Sequence, residues 1–142
     1  MTSAQQQVDA AAIIERLGRA IDERDLDGLV GCFASDVCSE QPVHPERNFT
    51  GSDQVRRNWT QIFAAVPDLH ATLVRSTAVA NTGWAEWEWS GTRADGVAFA
   101  LCGVTIIGVR DGAVAWTRFY MEPAQRDGAD VETAVRQVVT GR

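Results

Sequence analysis

The side chains able to move protons gather in two alternating stretches and one loop. If residues 84–90 form a strand, side chains two apart share a face. Trp84, Glu86, Glu88 and Ser90 then stand on one side, and Ala85, Trp87 and Trp89 on the other. In 114–122 the same alternation sets Val114, Trp116, Arg118, Tyr120 and Glu122 against Ala115, Thr117, Phe119 and Met121. A carboxylate enclosed by apolar groups has a raised pKa and acts as a general acid or base near neutrality. Glu122 is the candidate for that role, and Tyr120 for donating to a developing oxyanion. Each face also has a plainer reading. Arg118 and Glu122 are ordinary surface charges at a sheet edge, or they form a polar pocket wall. The Glu86/Glu88 pair faces solvent over a core of indoles, or it lines a cavity while Trp87 and Trp89 cover a partner subunit. The loop after residue 38 adds Ser39, Glu40, Gln41 and His44, while His70 opens a strand and reads as a half-exposed structural residue.

Other chemistries are excluded by what the chain lacks. Two His, 26 positions apart with no matching acid triplet, make no zinc site. All 13 basic residues are Arg, so no lysine amine is present for Schiff-base chemistry. No phosphate loop, nucleophile elbow or dinucleotide fingerprint occurs, and neither a metal nor a cofactor is expected. With a net charge of −6 and a pI near 4.8, neither nucleic acid nor an acidic membrane surface is an expected partner. The longest apolar run, 98–109, is too short to span a bilayer. The N-terminal residues carry no basic or apolar export pattern, and three Cys (Cys32, Cys38 and Cys102) cannot all pair. The expectation is a cytoplasmic protein.

The elements that must position these residues change period halfway along the chain. Its 142 residues, 45% apolar and 23% charged, suit one globular domain over 1–142, with a core at about 10–123 and an extension at 124–142. Val8, Ala11, Ala12, Ile14, Leu17, Ala20 and Ile21 form a helical stripe. Asp25 caps a short second helix, and Ser52 is expected to cap a third that carries Val55, Trp59, Ile62, Phe63 and Val66 on one face. Between them, 37–41 is expected to be a short strand. Four strands follow, at 70–80, 84–92, 97–109 and 113–122, joined by turns that include two Asp-Gly pairs. Helices first and strands after predict an α+β fold with an antiparallel meander. Asp130 is placed to cap a last helix bearing Val131, Val135, Val138 and Val139.

This order resembles the nuclear-transport-factor-2-like superfamily, and within it the SnoaL-like group. The resemblance is carried by AIDERDLDGLVGCFASDV (20–37), FTGSDQVRRNW (49–59), PDLHATL (67–73), EWEWSGTRADG (86–96) and VRDGAVAWTRFYMEP (109–123). It implies a cone of three helices packed in a strongly curved antiparallel sheet, a pocket at the wide end and a homodimer through the outer sheet face, here Trp87 and Trp89. It also implies a small hydrophobic organic ligand and cofactor-independent acid/base chemistry of cyclase, isomerase or epoxide-hydrolase type. His44 then sits at the pocket mouth. The ketosteroid-isomerase positions match Leu17, Gln41 and Val104 or Thr105, so those roles are lost. The epoxide-hydrolase positions match Glu88, Glu86, Glu122, Ser39 and Gln41, with Glu where the central Arg belongs and Arg118 as a spatial substitute. The cyclase acid matches Glu122, and no His matches its partner. The resulting expectation assigns catalysis to Glu122, Tyr120, Glu88, His44 and Arg118. It assigns ligand contact to Trp59, Trp84, Glu86, Trp116, Glu40 and Phe63. The alternative is a non-catalytic ligand-binding or accessory module of the same fold.

Overall fold

Asp9 opens the first helix, its carboxylate accepting the Ala12 N–H at 2.9 Å. The computed structural model describes residues 9–142, so Val8 of the expected stripe lies outside it. Helix α1 (Ala10–Glu23) buries Ala10, Ile13, Ile14, Ala20 and Ile21, and ends at Arg24 in the left-handed region (φ 55°). Asp25 caps α2 (Leu26–Val30) by accepting the Gly28 N–H at 2.9 Å. The chain continues through β1 (Phe33–Glu40), a 3-10 turn (Pro45–Arg47) and β2 (Phe49–Thr50). Helix α3 (Ser52–Ala65) is capped by position rather than by side chain. Gly51, at φ 97°, occupies the cap, so Ser52 is the first helical residue instead of the expected N-cap. The turn out of β2 needs a backbone conformation that only glycine adopts cheaply.

Four long strands follow: β3 (His70–Val79), β4 (Thr82–Thr92), β5 (Ala98–Arg110) and β6 (Ala113–Pro123). They form the expected meander. Its last turn places Asp111 and Gly112 at φ 53° and 78°, the paired left-handed conformation of a tight hairpin. The sheet order is β2-β1-β6-β5-β4-β3. The all-antiparallel expectation is corrected at one place: β1 pairs parallel with β6, so the curled, unclosed sheet is mixed. The connection through α3 makes β3 run opposite to β1, and three hairpins later β6 runs with β1 again.

Helix α1 packs on the inner face of β3 and β4 at close range. A Cβ on Gly83 would stand 2.9 Å from Ile14 Cδ1, and one on Gly18 would stand 3.1 Å from the Trp87 ring. Asp22 fastens the helix to the sheet by accepting the Ala71 N–H at 2.8 Å and facing His70 Nδ1 at 2.9 Å. Past the sheet, Asp130 caps α4 (Val131–Thr140), accepting the Thr133 N–H at 2.9 Å. No residue of α4 is buried. Among the described residues, no helix is long and apolar enough to cross a membrane.

Candidate functional site

The curl of the sheet around the helices encloses a cavity of about 380 Å³, within the usual range of ligand sites. Helices α1 and α2 contribute Leu17, Ile21 and Leu29, and β1 and β2 contribute Phe33, Val37, Ser39 and Phe49. Helix α3 turns Val55, Asn58, Trp59, Gln61 and Ile62 toward it, and Gln41 stands at the loop. The sheet supplies Trp87, Trp89, Thr105, Ile107, Thr117 and Phe119. These last residues lie on one face because the register demands it. Trp87 opposes Gly103, Ala85 opposes Thr105, Thr105 opposes Phe119, and Ile107 opposes Thr117. The wall is therefore aromatic and aliphatic, with hydroxyl and amide groups at intervals. Among the described residues, no ionisable side chain lines it.

Within this wall the polar atoms differ in state. Trp87 Nε1 donates to Thr105 Oγ1 at 3.0 Å. Asn58 accepts from Gln54 at 2.8 Å. Trp89 is 7% exposed, yet its Nε1–H has no hydrogen-bond partner among the described residues. Its ring meets Trp59 at 5.2 Å in a T-shaped arrangement and Phe119 at 6.0 Å.

The opposite face of the sheet collects the charged residues. Arg118 binds Glu40 at 2.8 Å. The Tyr120 hydroxyl beside it, with Glu40 adding to the effect, holds the Arg118 guanidinium above its ordinary value. His44 Nε2 donates to both oxygens of Glu122, at 3.1 and 3.2 Å, and Glu46 stands 4.0 Å from His44 Nδ1. Glu86 pairs with Arg75 at 3.0 Å. Glu88 is exposed and opposes Cys102, which in turn opposes Glu122. Trp84, Trp116 and Tyr120 lie on this face at 51%, 38% and 37% exposure.

The expected site is thus corrected in its placement. Of the residues expected around a ligand, Trp59 lines the cavity, and Phe63 packs behind it at 5.4 Å. Trp84, Glu86, Trp116 and Glu40 stand on the outer face. Of the residues expected to react, His44 and Glu122 are brought together, as are Arg118 and Tyr120. All four, with Glu88, lie outside the cavity lining. Trp87 and Trp89, expected to cover a partner, are 3% and 7% exposed and face the cavity. The physical reason is the cost of burial: a carboxylate taken from water without a full set of partners loses more than an indole left outside. Sequence reasoning missed Phe49, Asn58, Gln61, Thr117 and Phe119. The signal for Thr117 and Phe119 was present, since they share the face opposite the charged one.

A family model described as a SnoaL-like domain matches residues 14–117. A comparison with curated proteins finds no match. Among solved structures, one relative is a protein of ketosteroid isomerase-like fold from Catenulispora acidiphila in complex with trimethylamine. It has 16% identity and a TM-score of 0.67, covering 80% of this chain and 87% of that one. AclR of Streptomyces galilaeus, a proposed hydroxylase, has 16% identity and a TM-score of 0.69, over 79% and 87%. An epoxide hydrolase of M. tuberculosis resembling the limonene enzymes has 14% identity and a TM-score of 0.66, over 78% and 80%. At these identities the likeness is one of fold.

Proposed function

We propose, from the premise that the chain belongs to the SnoaL-like family, that it is a binding module for a small neutral hydrophobic molecule held inside the sheet. The observation that carries this reading is the cavity wall: about 380 Å³ bounded by apolar, hydroxyl and amide groups, with no ionisable group among the described lining residues. Acid/base catalysis needs a titratable group within reach of the reacting atom, and this wall offers none. Three of the five Trp line the cavity, so occupancy should quench or shift indole fluorescence. Titration with a neutral aromatic such as indane should saturate at one molecule per chain, and Thr117→Trp, which fills the space, should abolish it. A linear, non-saturating response refutes the reading.

A second reading rests on the His44–Glu122 pair, a histidine held by a carboxylate as in a proton-transferring dyad. It places reaction on the outer face, with Arg118 and Tyr120 beside it. Glu122→Gln discriminates: cavity binding is unchanged under both readings, while turnover of any processed ligand is lost only under the second.

We further infer a homodimer through that outer face, with Trp84, Trp116 and Tyr120 as its apolar centre in place of Trp87 and Trp89. Three exposed aromatic side chains on β4 and β6, the two strands that flank β5, form an unusual patch for a monomer. The Glu40–Arg118 pair gives it both charges for a self-complementary contact. Light scattering should give twice 15.5 kDa for the native chain and 15.5 kDa for Trp116→Glu. A native mass of 15.5 kDa at micromolar concentration refutes it.

A further inference from the structure

We propose that the paired hydroxyls of Ser39 and Thr117 are the polar pole of the cavity, and that they select a neutral occupant carrying a carbonyl oxygen. The proposal rests on the binding reading above and names its ligand class and the residues that read it. Strands β1 and β6 run side by side, and their register sets Ser39 directly opposite Thr117. The next pair along the ladder, Glu40 and Arg118, joins at 2.8 Å on the outer face, so Ser39 and Thr117 fall on the inner one. Both line the cavity. Ser39 is 8% exposed, the one polar residue in the buried set of the described chain. Neither hydroxyl makes a hydrogen bond to a described residue. The polar contacts of this stretch run instead from the Gln41 N–H to Asn48 and from Arg118 to Glu40. Nor is the Ser39 oxygen sealed: among the described residues, the unpartnered buried side-chain atom without accessible surface is Trp89 Nε1. Ser39 Oγ therefore keeps open surface, and the space its residue borders is the cavity.

Each hydroxyl has one proton to give. Water can receive both while the cavity is wet, but an occupant that displaces the water strands them unless it brings an acceptor. Spacing narrows the acceptor. Neighbouring strands lie about 4.8 Å apart, and two O–H donors at that spacing each reach an oxygen set between them at about 2.7 Å. A carbonyl oxygen has two in-plane lone pairs and receives both donors at once. Thr105, the remaining hydroxyl of the described wall, is already engaged, its Oγ1 receiving the Trp87 N–H at 3.0 Å. Charge keeps the class neutral: an anion would enter without a cation to meet it, and a cation without a carboxylate, because the described lining residues hold neither.

The test compares 1-indanone with indane, which differ by the carbonyl oxygen, on the full chain and on Ser39→Ala and Thr117→Val, each of which removes one hydroxyl. Calorimetry on the folded variants should show 1-indanone affinity falling about three- to tenfold in each. Indane should bind as tightly as before or more tightly, since it no longer strands that hydroxyl. Equal losses for the two probes, or no loss of 1-indanone in either variant, overturn the proposal while leaving the binding reading intact. A loss in one variant alone overturns the pairing. Failure of both probes to bind the native chain overturns the proposal and the binding reading together. A second measurement needs no variant: the carbonyl stretching band of 1-indanone bound to the native chain should lie below its position in hexane, and a band at the hexane position overturns the proposal. 1-Indanol binding more tightly than 1-indanone overturns the ligand class.

Discussion

Thr105→Val removes the acceptor of the Trp87 indole and little else. Valine keeps the branched shape, so the β5 backbone and the cavity outline stay nearly as they are. Trp87 is 3% exposed, and its Nε1–H then loses the Thr105 Oγ1 acceptor. Stranding a buried donor costs about 1–3 kcal/mol, more than the net worth of the bond itself. For a chain of this length each kcal/mol lowers the melting temperature by about 4 °C, so the variant should melt about 4–12 °C lower. Thr117→Val is the control. It lies on the same face and lines the same cavity, and should change stability by less than about 0.5 kcal/mol. The pair Trp87→Phe and Thr105→Val should also be non-additive, with the double variant about 1 kcal/mol more stable than the sum of the singles, because donor and acceptor leave together. Urea or thermal unfolding followed by far-ultraviolet circular dichroism reads the native chain and all four variants. If Thr105→Val unfolds with Thr117→Val, or the cycle closes without coupling, Trp87 is not held as argued.

Gly83→Ala should destabilise by about 1–3 kcal/mol, because its Cβ would come 2.9 Å from Ile14 Cδ1 and 3.0 Å from Ala10 Cβ where α1 meets β4; an unchanged urea midpoint would show that the helix yields freely. The Asp68 carboxyl accepts the Thr92 N–H at 2.7 Å, and that bond is the chief cause holding its pKa below the ordinary 3.8. A carboxylate lowered on folding stabilises above its unfolded value, and that stability disappears as pH falls through the folded one. The urea midpoint of the native chain should therefore exceed that of Asp68→Asn at neutral pH and converge with it as the pH falls below the ordinary 3.8; a gap that widens on acidification contradicts this. Residues of α4 bury nothing, so a chain ending at residue 130 should melt at the native temperature, and a clear fall would show that the helix is docked.

The elements were legible because their signals are local. Asp25 and Asp130 cap the helices expected of them, and the Asp-Gly pair at 111–112 turns β5 into β6. Strand alternation separated the two faces of β4 and β6 residue by residue. The parallel pairing of β1 with β6 was not legible. It joins segments some eighty residues apart, as in Ser39 opposite Thr117, and no local pattern of either segment specifies the other. The same non-locality hid Ser39, Asn58 and Phe119 as neighbours around one cavity.

Which face turns inward is a question of comparative cost, and the residues answer it. An indole buries about 150–250 Å², worth roughly 4–6 kcal/mol at 25 cal/mol per Å². Turning Trp87 and Trp89 outward forfeits that twice. Turning Glu86, Glu88, Arg118 and Glu122 inward adds several kcal/mol for each charge not fully partnered. Both terms favour the same orientation, and the small residues confirm it by shape. Trp87 faces Gly18 of α1 and opposes Gly103, space that a larger side chain at either place would fill. A Cβ on Gly103 would meet the Tyr120 carbonyl oxygen at 2.2 Å. The large-to-small complementarity of Trp87 with Gly18 was written in the sequence, but reading it requires knowing that the helix and strand cross. Once every ionisable group of β4 and β6 is turned outward, the polar groups left in the described cavity wall are hydroxyls, amides and indoles.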